Sequence, residues 1–418
     1  MLQPRFVAFL LSVCLAGASA PGSVLAGVIE QSAWRVEPST FTAAPTGLEY
    51  VGMQDAIAFY TALHQAGRWT EIPSGPLLRM GDNHWQGPLL RQQLTLLGDL
   101  ATLGLTDAPA EVFDAALHQA LLRFQQRHGL KVDGILGPET RTFLNVSPHY
   151  RAAQLRLNLR RQEALRAMSA QRYIQVNIPE YRLRLYEQGA VVLEMKTIIG
   201  RKTRQTPVFN TTVKTLVVNP DWNVPKSIAY KDILPLWQKD KSYLAKRNLQ
   251  VLSGWSEEPN VVPDSQIDLT RMYRGANYLR LREPPGVNNT LGQIKFISRS
   301  QYAIYMHDTP ARHLFNNHKR AFSSGCIRLE RAHDLADALL KLTSGAEAPP
   351  LAPLYASAET HKVALVRPVP LYVTYWTAWL DENGILNFRD DLYRRDVQEL
   401  AEMGALSPAL TQRVPVGQ

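Results

Sequence analysis

The sequence predicts an α+β chain of several domains, with a helical first half and a mainly β second half. Three observations predict it. The length is 418 residues, and at roughly 100–200 residues per domain it calls for two or three domains. Apolar residues recur at helical spacing between positions 50 and 145. Beyond about 173, runs that alternate or are continuously apolar replace them, as strands require. Hydrophobic residues at 45% and charged ones at 20% are ordinary globular proportions, so a sizeable core can be buried.

The N-terminus reads as a signal peptide over 1–26. Arg5 is its positive start, Phe6 to Ala16 its short apolar run, and Ala18, Ala20 and Ala26 its small residues. The run is too short to span a bilayer, which takes about 20 apolar residues. Cleavage after Ala26 is preferred, because cleavage after Ala20 leaves Pro21 first. An uncleaved anchor is the competing reading; a lipoprotein through Cys14 is weaker, because Val13 is not small. With Cys14 in the signal, Cys326 is the single cysteine of the exported chain. It is then either deeply buried or kept for its chemistry. Net charge is +9, of which Arg5 carries one, leaving +8. Such a balance suits an anionic partner; export argues against nucleic acid and leaves cell-wall polymer or an anionic membrane surface.

Residues 27–49 are a flexible leader rich in small residues and proline. Residues 50–88 form an N-terminal helical scaffold, with Ala56, Phe59, Tyr60 and Leu63 on one helix face. In 89–145, Leu90, Leu94, Leu97 and Leu100 mark one helix, and Phe113, Leu117, Leu121 and Phe124 the next. Gly129 stops it and Pro138 begins another. Residues 146–172 read as a basic linker helix with arginines at 151, 156, 160, 161, 166 and 172 and one acid, Glu163. Its arginine side is either a solvated face or a surface for wall or membrane.

Strands are expected at 182–185, 191–199, 213–218 and 302–306, a helix near 335–342, and a closing hairpin of 370–379 and 385–388 around Asn383-Gly384. The segment 220–290 interrupts this pattern with seven prolines and with Trp222, Trp237 and Trp255. An insertion of that length in a sheet domain is expected to be a lid or substrate loop. The domain runs over 173–400, and 401–418 is a tail.

The chemistry-bearing segment is Tyr305-Met306-His307-Asp308, followed by Ser323-Ser324-Gly325-Cys326-Ile327-Arg328. A thiolate, not a thiol, attacks, so a nucleophilic cysteine needs a base, and histidine titrates near neutrality. His307 lies 19 residues before Cys326, so only the fold can join them. Glycine before the cysteine permits a sharp turn that aims backbone N–H groups at one point, as an oxyanion requires. On spacing alone, a small buried cysteine and a partner other than His307, such as His313, His318 or His333, remain open.

Two stretches resemble known families. Phe124-Gln125, Gly129, Asp133-Gly134, Gly137 and Thr140 resemble the small peptidoglycan-binding domain of wall enzymes. Taken as residues, Phe124 and the glycines equally suit a three-helix core and its turns. His307 with Ser-Ser-Gly-Cys-Ile-Arg, supported by 219–225 and 289–296, resembles the L,D-transpeptidases with a YkuD-type domain, and their YcbB-like branch. Many members carry His where Ser324 stands; the branch tolerates Ser.

The resemblance implies a mainly β YkuD-type catalytic domain with an inserted lid, plus a small helical peptidoglycan-binding domain. It implies peptidoglycan stem peptides and anionic wall as partners, the periplasm as location, and no obligate protein partner. Cys326 attacks the third residue of a stem tetrapeptide, D-alanine leaves, and a side-chain amine of a second stem resolves the thioester into a 3-3 cross-link. Water as acceptor gives a carboxypeptidase, and a protein amine gives anchoring of that protein. His307 forms an ion pair with Cys326 and then serves as acid and base. The Asp308 carbonyl orients the ring while its carboxylate is exposed. Gly325 and Cys326 N–H groups, with the Tyr305 hydroxyl, hold the oxyanion. Ser323, Ser324 and Arg328 contact substrate, and Trp255 covers it; Arg328 could instead pair with Glu330. No cofactor is implied, and no metal-binding motif is present.

Overall fold

The computed structural model describes residues 50–101, 109–256, 259–268, 280–298, 300–345 and 348–405. The expected signal peptide and leader, 1–49, and most of the tail lie outside these residues.

The first compact region is helical. α1 (Met53–Gln65), α2 (Gly87–Leu96), α3 (Ala115–Arg127) and α4 (Pro138–Leu144) bury the predicted leucines and aromatics in one core. Asp114 caps α3, its carboxylate accepting the Leu117 N–H at 2.8 Å. The expected helical scaffold over 50–88 is helical only in α1. The chain from 66 to 86 is irregular, with single bridges Leu78–Leu136 and Asn83–Val112 tying it to the loops around α3 and α4. The breakers from Ile72 to Pro76 explain it.

Gln125 organises the turn that follows α3. Its amide nitrogen donates to Asp133 Oδ1, the Ile135 carbonyl and Thr140 Oγ1 at 3.0–3.2 Å, and its oxygen accepts the Asp133 and Gly134 N–H groups. Gly134 has φ +66°, and a Cβ there would lie 2.1 Å from the His118 ring, so only glycine fits. The motif residues Phe124, Gln125, Gly134 and Thr140 are buried and build this domain from within, while Gly129 is exposed and Gly137 half-buried.

α5 (Pro148–Met168) corrects the expectation of a linker. Tyr150, Arg151, Ala152, Leu155, Leu157, Asn158 and Leu165 are buried along its 21 residues. Arg151 stacks on the Phe388 ring at 4.2 Å, and Arg161 pairs with buried Asp396 at 2.7 Å and with Glu399. These arginines contribute packing and buried hydrogen bonds. Charge pattern alone hides such a role, because a guanidinium can lie flat on an aromatic ring.

The β region consists of β1 (Arg172–Asn177), β2 (Arg182–Glu187), β3 (Ala190–Gly200), β4 (Phe209–Val218), β5 (Trp222–Asn223), β6 (Gln250–Leu252), β7 (Arg280–Glu283), β8 (Ile294–Ser298), β9 (Met306–His307), β10 (Ala321–Ser323), β11 (Ile327–Leu329) and β12 (His361–Thr374). Nine of them form one sheet in the order β10-β3-β11-β9-β8-β4-β12-β1-β2, and β2 also pairs with β3, so the sheet closes on itself. Its core includes Ile174, Val176, Leu216, Phe296, Met306 and Ile327, covered by α6 (Ala332–Ser344) through Leu335, Ala336, Leu339 and Leu340. The insertion carries a separate sheet, β5-β7-β6, and its own core of Trp222, Leu234, Trp237, Val251 and Leu281.

Two expectations on strands change. The apolar run 302–306 is strand only at Met306–His307; Ala303 adopts φ +52° and Tyr302 is exposed. The closing hairpin forms as β13 (Ala378–Leu380) and β14 (Leu386–Phe388), a sheet of its own. Ala378, Leu386 and Phe388 enter the helical core. α7 (Arg395–Glu402) follows and meets α5 through Asp396. The chain thus leaves the sheet after Thr374 to complete the helical region, while Tyr375, Leu392 and Tyr393 remain in the β-domain core.

Phe388 is fully buried against Tyr60, His128 and Arg151. Phe388→Ala should lower the unfolding free energy by roughly 3–5 kcal/mol, measured by denaturant titration. A loss below about 1 kcal/mol would show that the hairpin does not support the helical core.

Candidate active site

The site is built on strand register. β9 and β11 run parallel, with Ile327 opposite Met306 and Arg328 opposite His307; β8 runs antiparallel to β9, with Lys295 opposite His307 and Phe296 opposite Met306. Side chains alternate along strands, and neighbours at one level share a face. Phe296, Met306 and Ile327 therefore enter the core. Lys295, His307 and Arg328 stand on the opposite face, and Tyr305 and Cys326, each two residues back, join it. Tyr305, His307, Cys326 and Arg328 line one cavity of about 400 Å³ with Trp222, Asp232, Glu283, Ser323 and Ser324.

The turn carrying Cys326 is held by its own polar groups. Ser323 Oγ donates to the Cys326 carbonyl at 2.6 Å and accepts the Gly325 N–H at 3.0 Å. Thr206 donates to the Gly325 carbonyl at 2.7 Å. Gly325 has φ +117°, and a Cβ there would lie 3.0 Å from Ile304 Cδ1. Ser323 is thus committed to the turn and not to substrate, and the Gly325 N–H is already donated. Both correct the expected roles. Ser324 reaches the cavity, with Arg204 donating to its hydroxyl at 3.0 Å while also pairing with Asp232 of the insertion.

His307 is buried, its Nδ1 2.5 Å from the Asp308 carbonyl. That contact fixes the tautomer with Nδ1 protonated and Nε2 as acceptor. The expected orienting role of Asp308 holds, but its carboxylate is not exposed. It is buried, accepting the Gln293 N–H at 2.9 Å and an Arg312 N–H at 2.7 Å.

Burial pushes the His307 pKa down to about 3, helped by Arg328 and Lys295 and opposed by the Asp308 and Leu291 carbonyls. Burial also pushes the Cys326 thiol up, against the Tyr305 N–H, Lys295, the Tyr305 hydroxyl and Arg328. Both shifts favour a neutral thiol beside a neutral imidazole in place of the expected ion pair. Among the described hydrogen bonds none joins the two side chains.

Tyr305 faces the sulfur with its hydroxyl and receives a hydrogen bond from Trp222. Arg328 pairs with no carboxylate among the described residues, Glu330 being taken by Lys196, and its buried Nε lacks a partner. It is a charged group in the cavity wall. Trp255 does not line the cavity; it is 61% exposed, with Arg280 over its ring at 4.9 Å, so its expected covering role is not seen. Lys295 and Trp222 are site residues that the spacing argument missed. For Lys295 a signal existed: a cation between Ile294 and Phe296 must face away from the core.

Residues 171–350 match the family model of YkuD, described as the L,D-transpeptidase catalytic domain. That segment is a YkuD-family domain. Residues 89–144 match the model described as "Putative peptidoglycan binding domain", so the chain joins a helical wall-binding-type domain to a mainly β YkuD domain. A relative from Haemophilus influenzae named "Putative L,D-transpeptidase" is 38% identical over 247 residues, covering 57% of this chain and 49% of the relative. The chain thus spans about half the length of that curated relative. Among solved structures, an L,D-transpeptidase (Yku) from Stackebrandtia nassauensis is 13% identical over 73% of this chain and 97% of its own, with TM-score 0.27. The L,D-transpeptidase from Mycobacterium smegmatis is 13% identical over 49% and 59%, with TM-score 0.23. Similarities at this level carry no argument about activity.

The two shifts give a pH expectation. Cys326 alkylation by iodoacetamide, followed by intact mass, should rise only at higher pH than for an ordinary thiol, which titrates at about 8.5. It should show no inflection near pH 6.5, because His307 stays neutral there. A step near pH 6.5 that disappears in His307→Gln would contradict the neutral pair.

Proposed function

We propose that this chain is an L,D-transpeptidase that joins peptidoglycan stem peptides through a thioester on Cys326. The observation that carries the reading is the shared cavity: the single cysteine outside the expected signal and the tautomer-fixed His307 line the same wall of a YkuD domain.

The substrate is a stem tetrapeptide. Cys326 Sγ attacks the carbonyl carbon of its third residue as His307 Nε2 takes the thiol proton. The oxyanion is met by the Cys326 N–H and the Tyr305 hydroxyl. The C–N bond to the terminal D-alanine then breaks, and His307 returns the proton to the leaving amine. A side-chain amine of a second stem attacks the thioester and gives its proton to His307. The C–S bond breaks and the thiol is restored, leaving a 3-3 cross-link. Starting from neutral groups, this route moves one proton at each step and leaves neither the thiol nor the imidazole charged at rest. Arg328 receives a substrate carboxylate, consistent with its unpaired buried Nε. The helical domain keeps the enzyme on the wall in the periplasm, and Ser324 in the motif fits the YcbB-like branch.

Incubating the full chain with purified tetrapeptide muropeptides should yield 3-3 cross-linked dimers by mass spectrometry, and Cys326→Ala should yield none. A carbapenem should add its mass to the wild type and not to Cys326→Ala. Dimers from the Cys326→Ala variant would refute the thioester; hydrolysed tripeptide without dimers would assign the acceptor to water.

A further inference from the structure

Lys295 is a lysine in an unusual setting. It projects from β8 beside His307, mostly buried, and its Nζ sits 4.0 Å from the centroid of the Tyr305 ring. It forms no ion pair among the described residues. Asp221 is close enough to act on it electrostatically, but that carboxylate is engaged with Arg280 and Asn223. A buried ammonium without a carboxylate is costly, and here the aromatic face is its main compensation. The ring beneath it belongs to the residue whose hydroxyl and backbone N–H meet the Cys326 sulfur, and it lies tilted beside the His307 ring, 5.7 Å between centroids. The charged and titratable groups facing the sulfur are thus Tyr305 and His307 from the β9 segment, Lys295 from β8 and Arg328 from β11. Asp232 and Glu283 stand further along the cavity.

We propose that Lys295 is a positioning residue for Cys326: its ammonium, seated on the Tyr305 ring, keeps the phenol on the sulfur and supplies a positive charge that favours the thiolate. A cation over a phenol ring makes its hydroxyl a stronger donor, so the effect reaches the sulfur through the ring as well as through space. Arg328 approaches from the β11 side and is exposed to a carboxylate that would neutralise it. Lys295 has no such carboxylate partner among the described residues, although burial lowers its own pKa, opposed by Cys326 and Asp221. The inference rests on Cys326 as the nucleophile of the proposed reaction, but its test uses no wall substrate.

The full chain and its Lys295→Met, Lys295→Arg and Tyr305→Phe variants are alkylated with iodoacetamide across a pH series, with intact mass as readout and thermal unfolding as the fold check. Lys295→Met should move the alkylation midpoint up by about one unit, a tenfold slower reaction at a fixed pH below it. Lys295→Arg should stay near the wild type, and in a Tyr305→Phe background the Lys295→Met shift should shrink. A Lys295→Met profile that overlays the wild type, or a Lys295→Arg shift as large as that of Lys295→Met, overturns the proposal, whatever happens to stability. Where Met destabilises the chain, Lys295→Gln gives the same comparison. A missing cross-linked product in the muropeptide assay leaves this result untouched, so the two readings fail separately.

Discussion

The parallel pairing of β9 with β11 is the constraint on which the site depends. Residues 307 and 326 are far apart along the chain, and no turn joins them. One short parallel ladder sets Met306 against Ile327 and His307 against Arg328, and alternation then places Tyr305, His307, Cys326 and Arg328 on one face. Slipping the ladder by one residue would send Met306 and Ile327 to the cavity and the polar set into the core. The burial of Met306, Ile327 and Phe296 therefore fixes the active face as firmly as any polar contact. Hydrophobic burial on one side of the strands is what holds the chemistry on the other.

The same burial sets the electrostatics. A thiol and an imidazole removed from water both resist charge, and the donors around the sulfur act against that resistance. Lys295, Arg328 and the two Tyr305 donors are arranged where negative charge develops. The turn behind Cys326 spends Ser323 and the Gly325 N–H on its own shape, which leaves a narrower set of oxyanion donors than the motif suggests. Ser324, held by Arg204, connects that turn to Asp232 of the insertion, so the nucleophile's loop and the inserted subdomain share one polar link.

The helical half is not an appendage of the β domain. The hairpin that follows β12 and the helix after it return to α1, α3 and α5, and Phe388 and Arg151 lock them together. The wall-binding-type domain is thus completed by residues almost 250 positions later, as the hydrogen bond from Arg127 to the Leu386 carbonyl, at a separation of 259, illustrates. Gln125 and Gly134 shape the turn of the small domain from within.

The sequence by itself determined the two classes of structure, a helix marked by Phe113 to Phe124 and another near 335–342, and strands near 182–185, 191–199 and 213–218, because hydrophobic period is a local property. It also determined that position 134 needs glycine, since the turn is local. What only the tertiary structure decided are matters of partners across the chain: that α5 is a buried strut, that the last hairpin closes the helical core, that the Asp308 carboxylate is internal, that Trp255 lies off the cavity, and that Lys295 belongs to the site. Each depends on what lies opposite a side chain, and for a charged residue the same letter in a row serves for a solvated face, a ring stack or a buried pair. Desolvation settles which one, and desolvation exists only once the chain has folded.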